Sequence, residues 1–331
     1  MPATQPKILV IRFSSIGDIV LTTPVIRALQ QQLGAEVHLL TKSSFAGVLS
    51  ANPYLTKIWT IKKRVDEVSA ALKKEGFTAI IDLHRNLRSV QVKLALWGTP
   101  AYTFDKLNWQ KWLLTRWKIN RLPDIHIVDR YLAAAAPLGV KNDGKGLDYH
   151  IPEADQVDPA DWNLPAGYVA LVIGAAHATK RLPTARLTEL CQGISSPIAL
   201  LGGPSDEAAG HQVASEAGSH VVNLCGKLRL HQSADIVRQA GTVISHDTGL
   251  MHIAAAFQQK ILSIWGNTVP EFGMYPYLPE KEENSIIFEV KDLPCRPCSK
   301  IGYAECPKGH FKCMEGQDLA GVANYARGFV G

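Results

Sequence analysis

The sequence predicts two doubly wound α/β domains joined by a linker. Short apolar runs rich in β-branched residues alternate with segments of three-and-four apolar spacing, the pattern of parallel strands and the helices that cover them. The 331 residues exceed one ordinary domain and fall short of three. Residues 151–167 interrupt the alternation with three prolines, a cluster of acids and no apolar period, which is linker chemistry. The expected domains are therefore 1–155 and 156–331, facing a cleft.

The elements follow in order. Lys7 to Phe13 reads as a strand and Ile16 to Leu33 as a helix, its buried side opened by Ile16, Ile19, Val20 and Leu21. Glu36 to Thr41 and Thr56 to Ile61 are strands. Val65 to Gly76 is a helix with Val65, Val68, Ala71 and Leu72 on one face, stopped by Gly76. Thr78 to Leu83 is nearly all apolar, as a strand buried on both faces requires. The second half repeats this grammar. Strands are expected at 168–173, 197–201, 220–223, 242–245 and 260–265, with helices at 184–192, 206–218, 230–240 and 249–257. Ligands in such sheets sit beyond the carboxyl ends of the strands, so the strand-to-helix loops are where chemistry belongs.

Composition narrows the function classes. With 46% hydrophobic and 20% charged residues the chain is ordinary globular material. A net charge of +5 is too mild to point to nucleic acid, but it is uneven: 21 basic against 13 acidic residues through Asp155, and 14 against 17 beyond. No apolar stretch approaches the length of a spanning helix. The first residues lack a charged segment followed by an apolar core and cleavage site, so a cytoplasmic location is expected.

Four loops could carry chemistry. After the first strand, residues 14–18 read SSIGD; Gly17 is their only glycine, which disfavours a dinucleotide fingerprint. Asp18 suits either a helix cap or a carboxylate taking a proton from a hydroxyl. Residues 245–252 read SHDTGLMH: a helix starts near Thr248 and Gly249 and offers free N–H groups to an anion, while His252 suits core or ligand equally. Residues 174–181 end in Thr179, Lys180 and Arg181, two adjacent cations that suit a diphosphate. Residues 202–207 carry turn-and-cap chemistry. Together these put an anion-binding set on the second domain and an isolated carboxylate on the first, an arrangement suited to glycosyl transfer.

The segment KILVIRFSSIGDIVLTTPVIRAL at 7–29, KRLP at 180–183 and DTGLMH at 247–252 resemble, in order, the recurring motifs of glycosyltransferase family 9, the ADP-heptose:lipopolysaccharide heptosyltransferases. The resemblance spans essentially the whole chain. It implies the GT-B fold, a first domain that binds the acceptor, a second that binds the donor, and an inverting, metal-independent transfer. The partners it implies are a nucleotide-diphosphate sugar, with ADP-heptose as donor, and an anionic glycolipid at the inner face of the inner membrane, with no nucleic acid. Residue by residue, Asp18 matches the base, Lys180 the lysine on the diphosphate, and Asp247, Thr248, Gly249 and His252 the donor loop, with Thr179 and Leu250 beside them. Two positions depart from the pattern. His246 stands where asparagine is common, and Leu182 where a bulky aromatic precedes the proline; both bear on donor identity rather than reaction type. A noncatalytic nucleotide-sugar binder, a transferase using another sugar, or a hydrolysing or epimerising enzyme are the alternatives. Asp18 favours an enzyme, since a binder needs no base.

Two further stretches stand out. Residues 106–121 hold three tryptophans and five cations without an acid, which fits a packed helix with snorkelling cations or a segment resting on anionic lipid. Lys111 and Arg116 there, with Arg85 and Arg88 after the strand at 78–83, are candidate acceptor contacts. Cys295, Cys298, Cys306 and Cys313, with His310 among them, have structural-zinc spacing; a compact loop of free thiols is the other reading.

Overall fold

The computed structural model describes residues 5–330, which group into two units. One runs to Lys106 and resumes at Ile125–His150; the other holds Leu107–Asp124 and everything from Ile151 onward.

In the first unit the chain forms β1 (Lys7–Ile11), α1 (Ile16–Val20), α2 (Thr23–Leu33), β2 (Glu36–Lys42), β3 (Lys57–Ile61), α3 (Asp66–Lys74), β4 (Ala79–Asp82), α4 (Leu87–Ala95) and β5 (Ala101–Thr103). After α5 (Asn108–Trp117), which belongs to the other unit, it returns as α6 (Ile127–Ala135). The five strands are all parallel, in the order β3-β2-β1-β4-β5. Leu9, Ile11, Leu40, Ile61 and Ile80 from the strands pack with Val92 and Leu96 around α4 in one core cluster.

The single helix expected over 16–33 is broken at Leu21–Thr22. Pro24 has no N–H to give Val20, and the Thr23 hydroxyl takes that place, donating to the Val20 carbonyl at 2.7 Å. Thr22 does the same for Ile19 at 2.7 Å.

The second unit continues with β6 (Val169–Val172), α7 (Thr184–Gly193), β7 (Ile198–Leu201), α8 (Glu207–Ala217), β8 (Val221–Asn223), α9 (Leu230–Gln239), β9 (Thr242–His246), α10 (Gly249–Ala256), β10 (Ile261–Trp265), β11 (Ser285–Glu289), α11 (Lys312–Glu315) and α12 (Leu319–Val330). Its six strands are also parallel, ordered β11-β10-β9-β6-β7-β8. Every residue of β6, β7, β9 and β10 is buried, so these strands read as apolar runs. Edge strand β11 is partly exposed throughout, and its mixed pattern gave no strand signal.

Residues 107–124 depart from the expected first domain. Leu114 is buried with Val269 and Phe272, and the Lys118 ammonium donates to the carbonyls of Cys295 at 3.2 Å and Pro297 at 2.7 Å. The linker composition at 151–167 likewise belongs to the second unit: Val157 N–H donates to Asp235 at 2.9 Å, and Asp155 pairs with Arg229 at 2.5 Å.

In the first unit, α2 is tied to the returning chain by the buried Arg27. Its guanidinium takes both oxygens of Asp143 at 2.7 and 2.8 Å, the Gly146 carbonyl at 2.8 Å, and Asp148. Removing one partner of a buried ion pair strands the others. Arg27→Ala should destabilise the first unit by about 3 kcal/mol or more, read by chemical denaturation; an unchanged midpoint would contradict this role.

Candidate functional site

The strand order of each sheet reverses beside its first strand. In the first unit β2 and β3 lie on one side of β1, and β4 and β5 on the other. In the second, β7 and β8 lie on one side of β6, and β9, β10 and β11 on the other. Loops leaving the carboxyl ends of the two central strands diverge there and leave a crevice.

At the first reversal, β1 ends in Arg12, a cation after an apolar strand. Arg12 is buried and donates to Ser14 O at 2.8 Å, Leu83 O at 2.6 Å and the Tyr131 hydroxyl at 2.8 Å. Its remaining arm meets Asp18 at 2.6 Å. Burial works against the guanidinium charge, and Asp18, Tyr131 and Asp82 more than offset it, leaving Arg12 above its ordinary value. Asp18 stands at the third position of α1, and its other oxygen accepts from Ser15 N at 3.2 Å and Ser15 Oγ at 2.9 Å. The cap and the carboxylate readings of Asp18 thus describe one group, still one-fifth exposed.

The loop after β4 forms the other wall. The His84 ring lies 5.2 Å edge-on from Phe13. Burial, helped by Arg12 and Lys106, pushes it down to about 4, so it is neutral near pH 7. Lys106 is lowered by burial and by Arg12. Asp82, fully buried, accepts from His84 N at 3.0 Å and Arg85 N at 2.7 Å and pairs with Lys93 at 3.0 Å. Arg85 and Arg88 leave this same strand end. Arg85 pairs with Asp105 at 2.7 Å, and Arg88 donates to the Lys63 carbonyl at 3.1 Å.

At the second reversal, Lys180 from the loop after β6 meets Asp247 from the loop after β9 at 2.5 Å. Thr268, after β10, donates to the same Asp247 oxygen at 2.9 Å. Thr248 caps α10, which Gly249 opens, and the Thr248 hydroxyl lies 3.2 Å from that of Ser245. The partly exposed Leu250 follows on the same turn, and His252 is buried one turn further along. Thr179 is buried behind Lys180, exchanging hydrogen bonds with Tyr303: its hydroxyl accepts from Tyr303 N at 2.8 Å. Arg181 faces away from this pair, held by Asp206 at 2.8 Å and by the Ala175 carbonyl. Side chains at Gly174 or Gly202 would collide with the Asp206 carboxylate. Arg181 therefore shapes the loop rather than joining Lys180 on an anion.

The two residues that departed from the motifs touch. The His246 ring accepts the Leu182 N–H through Nε2 at 3.0 Å, pinning the Lys180 loop to the end of β9. Burial pushes His246 down to about 4, against the pull of the Val172 carbonyl.

Lys111 and Arg116 stand on α5. The Lys111 ammonium lies 5.7 Å from the Phe272 ring centroid, and Arg116 packs at 5.4 Å over Trp117. Trp109 and Trp112 stack at 5.0 Å and are exposed. The four cysteines lie within electrostatic reach of one another, and burial pushes Cys298 and Cys313 up to about 11. Cys295 Sγ lies 3.9 Å from His310 Nε2, Cys298 donates to the Cys295 carbonyl at 3.1 Å, and Cys313 is buried. Among the described residues no group of three or more His, Cys, Asp or Glu side chains could hold a metal ion. Reading the sequence missed Arg12, Tyr131, Thr268 and Asp206. Only Arg12 left a trace there, as a charge closing an apolar strand.

Residues 65–307 match the model of glycosyltransferase family 9 (heptosyltransferase). Lipopolysaccharide heptosyltransferase 1 of Pseudomonas aeruginosa is 24% identical over 321 residues, covering 89% of this chain and 86% of that one. Among solved structures, a family 9 glycosyl transferase from Veillonella parvula superposes with a TM-score of 0.79 at 20% identity, covering 100% of this chain and 98% of its own. The E. coli heptosyltransferase WaaC with ADP gives 0.67 at 19% identity, covering 98% of this chain and 99% of its own.

The neutral His246 has a pH consequence. Above about pH 6.5 the ring is neutral both folded and unfolded; below it the unfolded chain binds a proton that the folded protein accepts only near pH 4. Stability is therefore lost as pH falls through this window. Denaturant melts at pH 7 and pH 4.5 should show a smaller loss for His246→Asn than for the parent protein; equal losses would contradict the buried neutral ring.

Proposed function

Because the chain belongs to glycosyltransferase family 9, we propose that its second unit holds a nucleotide-diphosphate sugar and its first activates the acceptor hydroxyl. It is a glycosyltransferase of the GT-B fold, and the names of its relatives, an E. coli ADP-heptose lps heptosyltransferase II among them, point to heptose as the sugar, ADP-heptose as the donor and lipopolysaccharide as the acceptor.

The observation that carries the donor half is Lys180 meeting Asp247 at the start of α10. An ammonium has three protons to donate, so Asp247 can orient Lys180 and leave it a donor for phosphate oxygen. Backbone N–H groups at Gly249 and Leu250 add the positive end of α10. As the bond from the anomeric carbon to the diphosphate breaks, charge gathers on the departing oxygen, and these fixed donors meet it without rearranging.

Asp18 supplies the other half. The acceptor oxygen attacks the anomeric carbon from the face opposite the leaving group, inverting it, and its proton passes to the Asp18 carboxylate. Arg12 and Ser15 hold that carboxylate in one rotamer, so the base is in place before the hydroxyl arrives. The cations at the reaction are the protein's own, and the transfer proceeds without a divalent metal.

The acceptor reading places the protein at the cytoplasmic face of the inner membrane, bound peripherally. No helix among the described residues is long and apolar enough to cross a membrane.

Asp18→Asn should reduce transfer by at least about 100-fold while ADP binding, measured calorimetrically, stays within about twofold. Lys180→Met should show the converse weighting, with ADP binding weakened about tenfold or more. Retained turnover in Asp18→Asn, or loss of ADP binding in it, would overturn the assignment.

A further inference from the structure

Helix α4 is apolar on two opposite faces, and the first unit covers only one of them. Val92 and Leu96 point into the core beside β4. Leu87, Val90 and Leu94 follow at intervals of three and four along one stripe of α4, and Trp97 continues the row in the turn just past its end, its backbone N–H donating to the Leu94 carbonyl at 3.3 Å. All four are exposed: Leu87 by 83%, Val90 by 44%, Leu94 by 58% and Trp97 by 84%. The stripe is about 15 Å long at helical rise. A contiguous row of large apolar side chains, unlike scattered single ones, marks a contact surface.

The charge around it indicates which surface. From Leu83 to Phe104 there is no acidic residue, whereas Arg85, Arg88 and Lys93 are all present. The Arg88–Lys63 hydrogen bond brings the exposed Lys62, Lys63 and Arg64 alongside α4. Asp66, Glu67, Asp105 and the buried Asp82, which pairs with Lys93 at 3.0 Å, are the acids nearby. Asp66 is paired with Arg64, Glu67 accepts the backbone N–H groups of residues 62–64, and Asp105 is paired with Arg85. The unit as a whole carries 17 basic against 10 acidic side chains. Apolar side chains ending in tryptophan and rimmed by cations match the boundary between acyl chains and anionic headgroups. A second copy of the same face would instead bring like charges together.

We propose that the outer face of α4 docks the protein on an anionic lipid surface. Leu87 enters the helix from the loop after β4, at the same carboxyl end of the sheet as Asp18, which follows the neighbouring β1. Docking here therefore sets the catalytic carboxylate beside the headgroups, which suits a lipid-linked acceptor and for that purpose rests on the reading above. The interaction itself needs no sugar.

The test is sedimentation of the full chain with vesicles of equal phosphatidylglycerol and phosphatidylcholine, without nucleotide or acceptor. The parent protein should bind these and bind pure phosphatidylcholine at least tenfold less. The triple variant Leu87→Gln, Leu94→Gln, Trp97→Gln, its fold checked by circular dichroism and its ADP affinity by calorimetry, should lose at least tenfold on the anionic vesicles. It should retain transfer to a deacylated, water-soluble acceptor. Unchanged vesicle binding by the triple variant would overturn the proposal. So would a parent dimer that the variant converts to monomers with vesicle binding intact, since the face would then serve a second copy. A parent protein inactive on every soluble acceptor would count against the transferase reading and leave the vesicle result standing by itself.

Discussion

Both units depend on the reversal of strand order beside their first strand. With β2 and β3 laid to one side of β1, and β4 and β5 to the other, the loops after β1 and β4 must part. The second sheet repeats the arrangement at β6 and β9. Asp18 and Arg12 stand at the first opening, Lys180 and Asp247 at the second. Because the flanking strands are buried on both faces, their ends are fixed in place, and short loops suffice to aim the side chains.

Each opening is anchored by a buried polar group, and the two anchors differ in kind. Arg12 stays charged, because three neutral acceptors and the Asp18 carboxylate replace the water it has lost. His246 stays neutral, because burial disfavours its charge and its Nε2 must accept the Leu182 N–H. A charged anchor suits the side that must hold a carboxylate still. A neutral one adds no further charge beside the Lys180–Asp247 pair.

Much of this was legible in the sequence. The alternation of apolar runs located most strands and helices, since burial on both faces leaves little room for polar residues. The three motif segments led to Asp18, Lys180 and Asp247, which the fold distributes to the two openings. Several elements escaped, β5, α4, α6, α11 and α12 among them, and so did features of the expected ones and contacts between distant residues. Strand β11 is half exposed and so lacks the buried pattern, and the break between α1 and α2 turns on Pro24 and two threonine hydroxyls within one apparent period. Contacts between distant residues also left no local sign: Arg12 with Tyr131, Leu182 with His246, and Thr268 with Asp247. The basic, tryptophan-rich segment read as part of the first domain because it lies within that stretch of sequence; Leu114 and Lys118 attach it to the second.

The division of labour between the two openings is the central claim, and a crystal structure of the full chain with ADP tests it most directly. The diphosphate should lie within hydrogen-bond distance of Lys180 Nζ and the Gly249 N–H, with Asp18 making no contact to it. A diphosphate bound instead against Arg12, His84 and Lys106 at the first opening would contradict the claim.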